Sequence, residues 1–249
     1  MRTPLLLAAL CVPVTLAAAT VGLLTSLVNG AQPFADPVNA NFAALKAAVD
    51  DNAAQLSTAS VNGFGTVFTL WGDDACPTGT EVVYQGFPGG KSHTHGGSGT
   101  NTLCMASQPE YDQYNDANHD GALIYGLEME MGSYGLISFA PWNSLHDDSP
   151  RCAVCLDPAA NDTLELMGTQ TCPNGWTEQY VGMTMANHYT QASSTFVCVT
   201  QNARASQFSP FGSQNGTLWY PTEGECGSLP CGAGDFVQDR EIPCVVCTR

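Results

Sequence analysis

Two different rhythms of apolar positions divide this chain. Between Asp36 and Ser57, Val38, Phe42, Leu45, Val49, Asn52 and Leu56 recur at alternating spacings of 4 and 3. That is the period of a heptad seam on one side of a helix. Asp36 can cap the first turn, and Pro37 suits a first helical position. The pattern predicts a helix over 36–57, followed by a linker rich in Ser, Gly and Asn over 58–65. An Ala-rich helix this short is weak alone. It either packs on the globular part or meets copies of itself, and a short parallel coiled coil of three chains is the reading taken here.

From Val67 onward the rhythm is that of strands. Val67–Leu70, Glu81–Tyr84, Ser194–Val199 and Pro243–Cys247 are short β-branched or aromatic runs. Turn residues separate them, such as Pro88-Gly89-Gly90 and Cys172-Pro173-Asn174-Gly175. No long helical pattern follows Leu56. The fold class expected is all-β, with a first β subdomain over 66–160 and a second over 161–249.

The two stretches resemble each other. Leu70-Trp71-Gly72 with Cys76-Pro77-Thr78-Gly79, then Tyr84, Gly86 and Cys104, reappears as Leu166-Met167-Gly168 with Cys172-Pro173-Asn174-Gly175, then Tyr180, Gly182 and Cys198. Gly121–Glu128 matches Gly216–Glu223, and Cys152-Ala153-Val154-Cys155 matches Cys244-Val245-Val246-Cys247. Landmarks recurring at so nearly one offset imply an internal duplication with pseudo-twofold symmetry.

The start reads as an export signal over 1–31. Met1-Arg2 is a short basic region, an apolar stretch from Leu5 runs to about Val28, and small residues suited to cleavage occur at Ala17-Ala18-Ala19 and Gly30-Ala31. The stretch is also long enough to stay as an N-terminal anchor. Cys11 follows Leu10, where an acylated lipoprotein would carry a small residue. Composition agrees with export: charged residues are 12% of the chain, with Gly 25 and Pro 15. A formal net charge of −16 would repel a phosphate backbone or an anionic membrane surface, so nucleic acid is not an expected partner.

Ten cysteines lie beyond the leader, an even number suited to disulfides in an exported chain. The two CxxC pairs also have zinc-ligand spacing, but the remaining cysteines are not spaced to complete such sites. Spacing alone leaves the pairing open. Cys226 and Cys231 have no counterpart in the first repeat and pair most simply with each other, which leaves two long-range bridges per repeat.

These residues resemble a known family. Trp71-Gly72 with Cys76-Pro77, Gly89-Gly90 with His93-Thr94-His95, Leu103-Cys104, Ile124-Tyr125-Gly126 with Glu128, Cys172-Pro173-Asn174-Gly175-Trp176, Phe196–Val199, Cys226–Cys231 and the two CxxC pairs are together similar to the C-terminal domain of short-chain, spongin-type collagens. That domain is in turn similar to the non-collagenous C-terminal domain of type IV collagen. The resemblance covers about 180 residues. It implies two tandem β subdomains, trimerisation, and the bridges Cys76–Cys155, Cys104–Cys152, Cys172–Cys247, Cys198–Cys244 and Cys226–Cys231. The chain departs from the family in lacking any Gly-X-Y tract, and the heptad sits where a triple helix would enter.

Several residues invite a site. Asp116-Ala117-Asn118-His119-Asp120-Gly121 opens like a calcium loop, with Asp116, Asn118 and Asp120 as oxygen ligands. The usual twelfth-position acid is missed by one residue, at Glu128, and Asp112 lies upstream. Calcium is the one cofactor suggested. His93-Thr94-His95 could put two imidazoles together for a metal. The second repeat offers only His188, so a structural hydrogen-bonding role explains the repeat better. Asn161-Asp162-Thr163 and Asn215-Gly216-Thr217 are glycosylation sequons. Glu128 and Glu130, and Asp147 and Asp148, are acids without a recognisable catalytic partner.

The expectation is a secreted, non-enzymatic assembly protein of an extracellular matrix or cell-surface fibre. It would form a homotrimer and meet other matrix or surface components. One alternative is a calcium- or carbohydrate-dependent adhesion module, which exposed Trp142, Trp176 or Trp219 beside acids would favour. A secreted hydrolase is the other, and it requires acids or histidines converging in one pocket.

Overall fold

Helix α1 (Ala35–Asn62) opens a computed structural model that describes residues 35–62, 65–112, 115–117, 121–131, 142–206, 213–231 and 236–249. The expected linker over 58–65 needs correction, because helix continues through Asn62. Thr58-Ala59-Ser60-Val61-Asn62 contains no Gly or Pro to stop it, and the first glycine after the seam is Gly63. The leader expected over 1–31 lies outside the described residues. Two units partition the chain, Met1–Gly63 and Phe64–Arg249.

The second unit is mostly β. Its N-terminal half contains β1 (Thr66–Trp71), β2 (Glu81–Gly90), β3 (Leu103–Ala106), β4 (Tyr125–Met129) and β5 (Cys152–Asp157). Its C-terminal half contains β6 (Thr163–Met167), β7 (Thr177–Ala186), β8 (Val197–Thr200), β9 (Thr217–Pro221), β10 (Glu223–Gly224), β11 (Arg240–Glu241) and β12 (Pro243–Thr248). A short 3-10 turn spans Trp142–Leu145.

Matching sets of pairings run through the two halves. β5 lies antiparallel between β1 and β2, and β12 lies antiparallel between β6 and β7. Further along β2, Gly86 faces Ala106 of β3 and Gly90 faces Tyr125 of β4. Further along β7, Gly182 faces Thr200 of β8 and Ala186 faces Tyr220 of β9. Parallel pairings join the halves: β1 to β8 at Trp71 and Val199, and β4 to β9 from Leu127–Thr217 to Met129–Trp219. One sheet therefore runs β6-β12-β7-β8-β1-β5-β2-β4-β9, with β3 on β2 and β9 returning to β7. β10 and β11 form a separate two-stranded ribbon.

Glycine placement follows this crowding. Pro88-Gly89-Gly90, expected as a turn, is the end of β2. A Cβ on Gly86 would lie 2.0 Å from the Met105 carbonyl oxygen, and one on Gly182 would lie 1.8 Å from that of Val199. Both glycines let a strand pass close to its neighbour. The other expected turn is present: the Trp176 amide donates to the Pro173 carbonyl at 3.1 Å, as the Thr80 amide does to Pro77 at 3.1 Å. The run expected from Ser194 enters the sheet only at Val197.

Two packed clusters form the core. Phe68, Leu70, Ala153, Cys155, Tyr180, Cys198, Cys244 and Val246 make one. The other draws on both halves, with Trp71, Leu127, Met129, Met183, Met185 and Val199 around Trp219. Trp71 and Trp219 meet edge to face with ring centroids 5.9 Å apart, a geometry that favours aromatic pairs. Burial of these large side chains is the main force holding the halves together.

Candidate functional site

Along α1 the heptad side chains are uncovered. Phe42 is 66% exposed, Val49 58% and Leu56 72%. Leu45 and Asn52 are also exposed, and Val38 is half-buried. The polar face satisfies itself, with Lys46 paired to Asp50 at 2.6 Å and the Gln55 amide donating to Asp51 at 2.9 Å. Within its own unit the helix leaves Phe42, Leu45, Val49 and Leu56 exposed.

In the β unit five disulfides join Cys76–Cys155, Cys104–Cys152, Cys172–Cys247, Cys198–Cys244 and Cys226–Cys231. These are the pairs that the resemblance implies. In the CxxC strand β5 the two cysteines enter different core clusters, Cys152 one and Cys155 the other.

Of the candidate calcium residues only Asp116 is described. Asp116 and Asp112 are exposed, and Asn118 and Asp120 lie outside the described residues. Glu128, the nearest acid in sequence to the missing ligand, is buried and committed elsewhere. Its carboxylate accepts the backbone amides of Gln214 at 2.6 Å and Asn215 at 2.9 Å. Beside it, the His93 amide donates to the Gly216 carbonyl at 2.9 Å, and His93 Nδ1 lies 3.0 Å from the Asn215 carbonyl oxygen. His93 and Glu128 together clasp the loop that leads into β9. His188 bonds Thr190 at 2.8 Å. Each half also sets a histidine edge-on to a tyrosine, His95 on Tyr125 at 5.4 Å and His188 on Tyr220 at 5.2 Å.

Two acidic clusters come together, and the first joins Glu130 and Asp147, two of the acids named above without a partner, through His146. The His146 ring lies between carboxylates, Nδ1 3.4 Å from Glu130 and Nε2 3.9 Å from Asp147. Glu130 lies at the closer nitrogen, while Asp147 stands beyond hydrogen-bond distance of the other. Glu223, Glu225 and Asp239 form the other cluster, in which the Gln238 amide spans Glu225 and Asp239 at 2.6 Å each. Partial desolvation, then repulsion from Glu241, Asp239 and Glu225, raises the Glu223 carboxyl above the usual range.

Glu223 and Glu225 edge a groove of about 650 Å³. Its aromatic walls are His188, Tyr189, Phe196 and Tyr220, with Tyr189 90% and Phe196 61% exposed. The three tryptophans named as sugar platforms lie elsewhere. Trp142 and Trp219 are buried, and Trp176 is half-buried beneath the Arg249 guanidinium at 4.8 Å.

The chain matches no known protein-family model. Among the described residues, no helix is long and apolar enough to cross a membrane.

Proposed function

We propose that this chain is a secreted, non-enzymatic assembly protein that forms homotrimers in an extracellular matrix or surface fibre. The uncovered seam on α1 carries the reading. A row of Phe42, Leu45, Val49 and Leu56 in water is unfavourable, and burial against the same row on other chains removes that cost. The polar Asn52 within the seam would set the register of the assembled helices.

Three further observations support the reading. Five disulfides suit an oxidising compartment outside the cell. The matched strand pairings of the two halves favour an origin by internal duplication, as the repeated cysteine frame suggests. The bridge pattern favours kinship with the spongin-type collagen C-terminal domain, with a coiled coil in place of the collagen triple helix. An adhesion module remains the second reading, but buried Trp142 and Trp219 remove two of its sugar platforms.

The test is the mass of the oxidised chain in solution, by light scattering at micromolar concentration. A trimer is expected, and a Leu45→Glu, Val49→Glu double variant should lower the mass. A monomeric wild-type chain overturns the reading.

A further inference from the structure

The aromatic groove carries charge of one sign. Glu130, Glu223 and Glu225 stand along it, and Tyr189, Phe196 and Tyr220 supply ring surface. The rings continue one another. That of His188 lies 4.5 Å from Tyr189 and 5.2 Å from Tyr220, centroid to centroid. A volume of about 650 Å³ suits a long side chain or a small molecule.

No Lys or Arg of the β unit lines this groove. The basic residues of that unit are Lys91, Arg151, Arg204, Arg240 and Arg249, all of them described, and none is on its walls. Arg151, Arg204 and Arg249 are paired with Asp74, Asp73 and Asp162. Around Glu223 the charges repel: partial desolvation raises its carboxyl first, and Glu241, Asp239 and Glu225 raise it further. The Gln238 amide spans Glu225 and Asp239 at 2.6 Å each but brings no charge of its own.

Carboxylates beside ring faces are the two elements that hold an organic cation. The acids meet its charge, while the rings attract it and cover its apolar stem. Arginine suits such a site best, because a planar guanidinium stacks on a ring and forks its N–H groups onto a carboxylate. We propose that the groove binds an arginine side chain of a basic partner protein, with Tyr189 and Phe196 against the guanidinium and its stem and Glu223 and Glu225 on its charge. The net charge of −16 draws a basic partner toward the chain, and the groove sets where it docks. The inference is independent of the trimer reading, since every residue named for it lies in the β unit.

Titration calorimetry of the oxidised full chain tests it. The probe is a blocked Gly-Arg-Leu-Arg-Gly peptide, with a citrulline counterpart that keeps the shape and loses the charge. One site per chain is expected at low salt, with a Kd below about 1 mM. The citrulline peptide should bind about ten-fold more weakly or worse. Glu223→Gln with Glu225→Gln should weaken arginine binding by about ten-fold. Tyr189→Ala with Phe196→Ala should weaken it by about five-fold. All four side chains are exposed, so these changes spare the core. Glu81→Gln with Glu178→Gln removes the same charge from exposed positions outside the groove, and should shift the affinity by less than about two-fold. Equal losses in the two glutamate pairs would show attraction by net charge alone and overturn the inference. Equal binding of the citrulline peptide, or no binding at about 1 mM, would overturn it too. A monomeric chain that binds the arginine peptide leaves this inference standing and overturns only the trimer reading.

Discussion

The two halves of the β unit share a frame and differ in what covers it. Tyr84 and Tyr180 occupy matching places, opposite Val154 and Val246. The Tyr84 hydroxyl donates to the Cys104 carbonyl at 3.0 Å, and the Tyr180 hydroxyl lies 3.1 Å from that of Cys198. Tyr84 is nonetheless 38% exposed and Tyr180 only 7%. β1 lies against the second half, bringing Phe68 to Tyr180 with ring centroids 6.3 Å apart and the Thr69 carbonyl 2.8 Å from its hydroxyl. Among the described residues, no strand covers β3 in the same way. The acids show the reverse order: Glu128 is buried under a clasped loop, and its match Glu223 edges an open groove. Similar local sequence thus meets different non-local neighbours.

Cutting matched bridges should give the largest effects. Cys104–Cys152 closes a loop of 48 residues and Cys198–Cys244 one of 46. Loop entropy alone makes both worth about 4 kcal/mol. Cys152, Cys198 and Cys244 are fully buried and Cys104 is only half-buried, so replacing the second pair by alanine leaves the larger core cavity. Chemical denaturation should show the C-terminal pair costing more. Equal losses would mean that the halves are equally packed.

Gly86→Ala and Gly182→Ala should each cost about 2 kcal/mol, from overpacking against the Met105 and Val199 carbonyls. Thermal melts of the two variants should agree closely. A large gap would break the equivalence of β2 and β7.

Tyr180→Phe should cost about 1–2 kcal/mol by leaving a buried carbonyl pair short of a donor. Tyr84→Phe should stay within about 0.5 kcal/mol, being partly solvated. Burial, and then the Glu165 charge, pushes the Tyr180 hydroxyl well above its usual range. The folded chain therefore holds this proton after the unfolded chain has lost it. Stability should fall as pH rises above about 10, and Tyr180→Phe should flatten that fall in alkaline denaturation curves.

The smallest expected difference concerns Glu165, whose match in β1 is Thr69. Burial raises its carboxyl, and the Cys198 amide, donating at 2.6 Å, partly offsets the rise. The folded state holds this proton more tightly, so its contribution is greatest below the ordinary carboxylate pKa and is lost as pH rises through the raised one. Glu165→Gln keeps an acceptor for Cys198 and should remove that slope. An unchanged stability profile between pH 4 and 7 would refute the assignment, with about 4.3 as the unfolded reference.

Much of this arrangement was legible from periodicity. Strand centres at Val67–Leu70, Glu81–Tyr84 and Pro243–Cys247 were readable because β-branched runs report a pleated, half-buried surface. The helix was readable because apolar positions recurred at helical spacing. Pro88-Gly89-Gly90 was misread as a turn because glycine composition cannot separate a bend from a close strand approach. The linker was placed too early because Ser and Asn weaken a helix without ending it. The role of Glu128 carried no local signal, since its partners Gln214 and Asn215 come from the other end of the unit.

The sequence by itself determined the helix and the strand-rich remainder, the even cysteine count and the acidic charge. Those properties depend on residues near one another in the chain. Only the tertiary structure decided which strands meet across the two halves. It put Thr217–Trp219 against β4 and, among the described residues, set Thr222, Glu223 and Glu225 along a groove. Similar strand pairings cannot specify that difference locally, because it arises from how the two halves lie against each other.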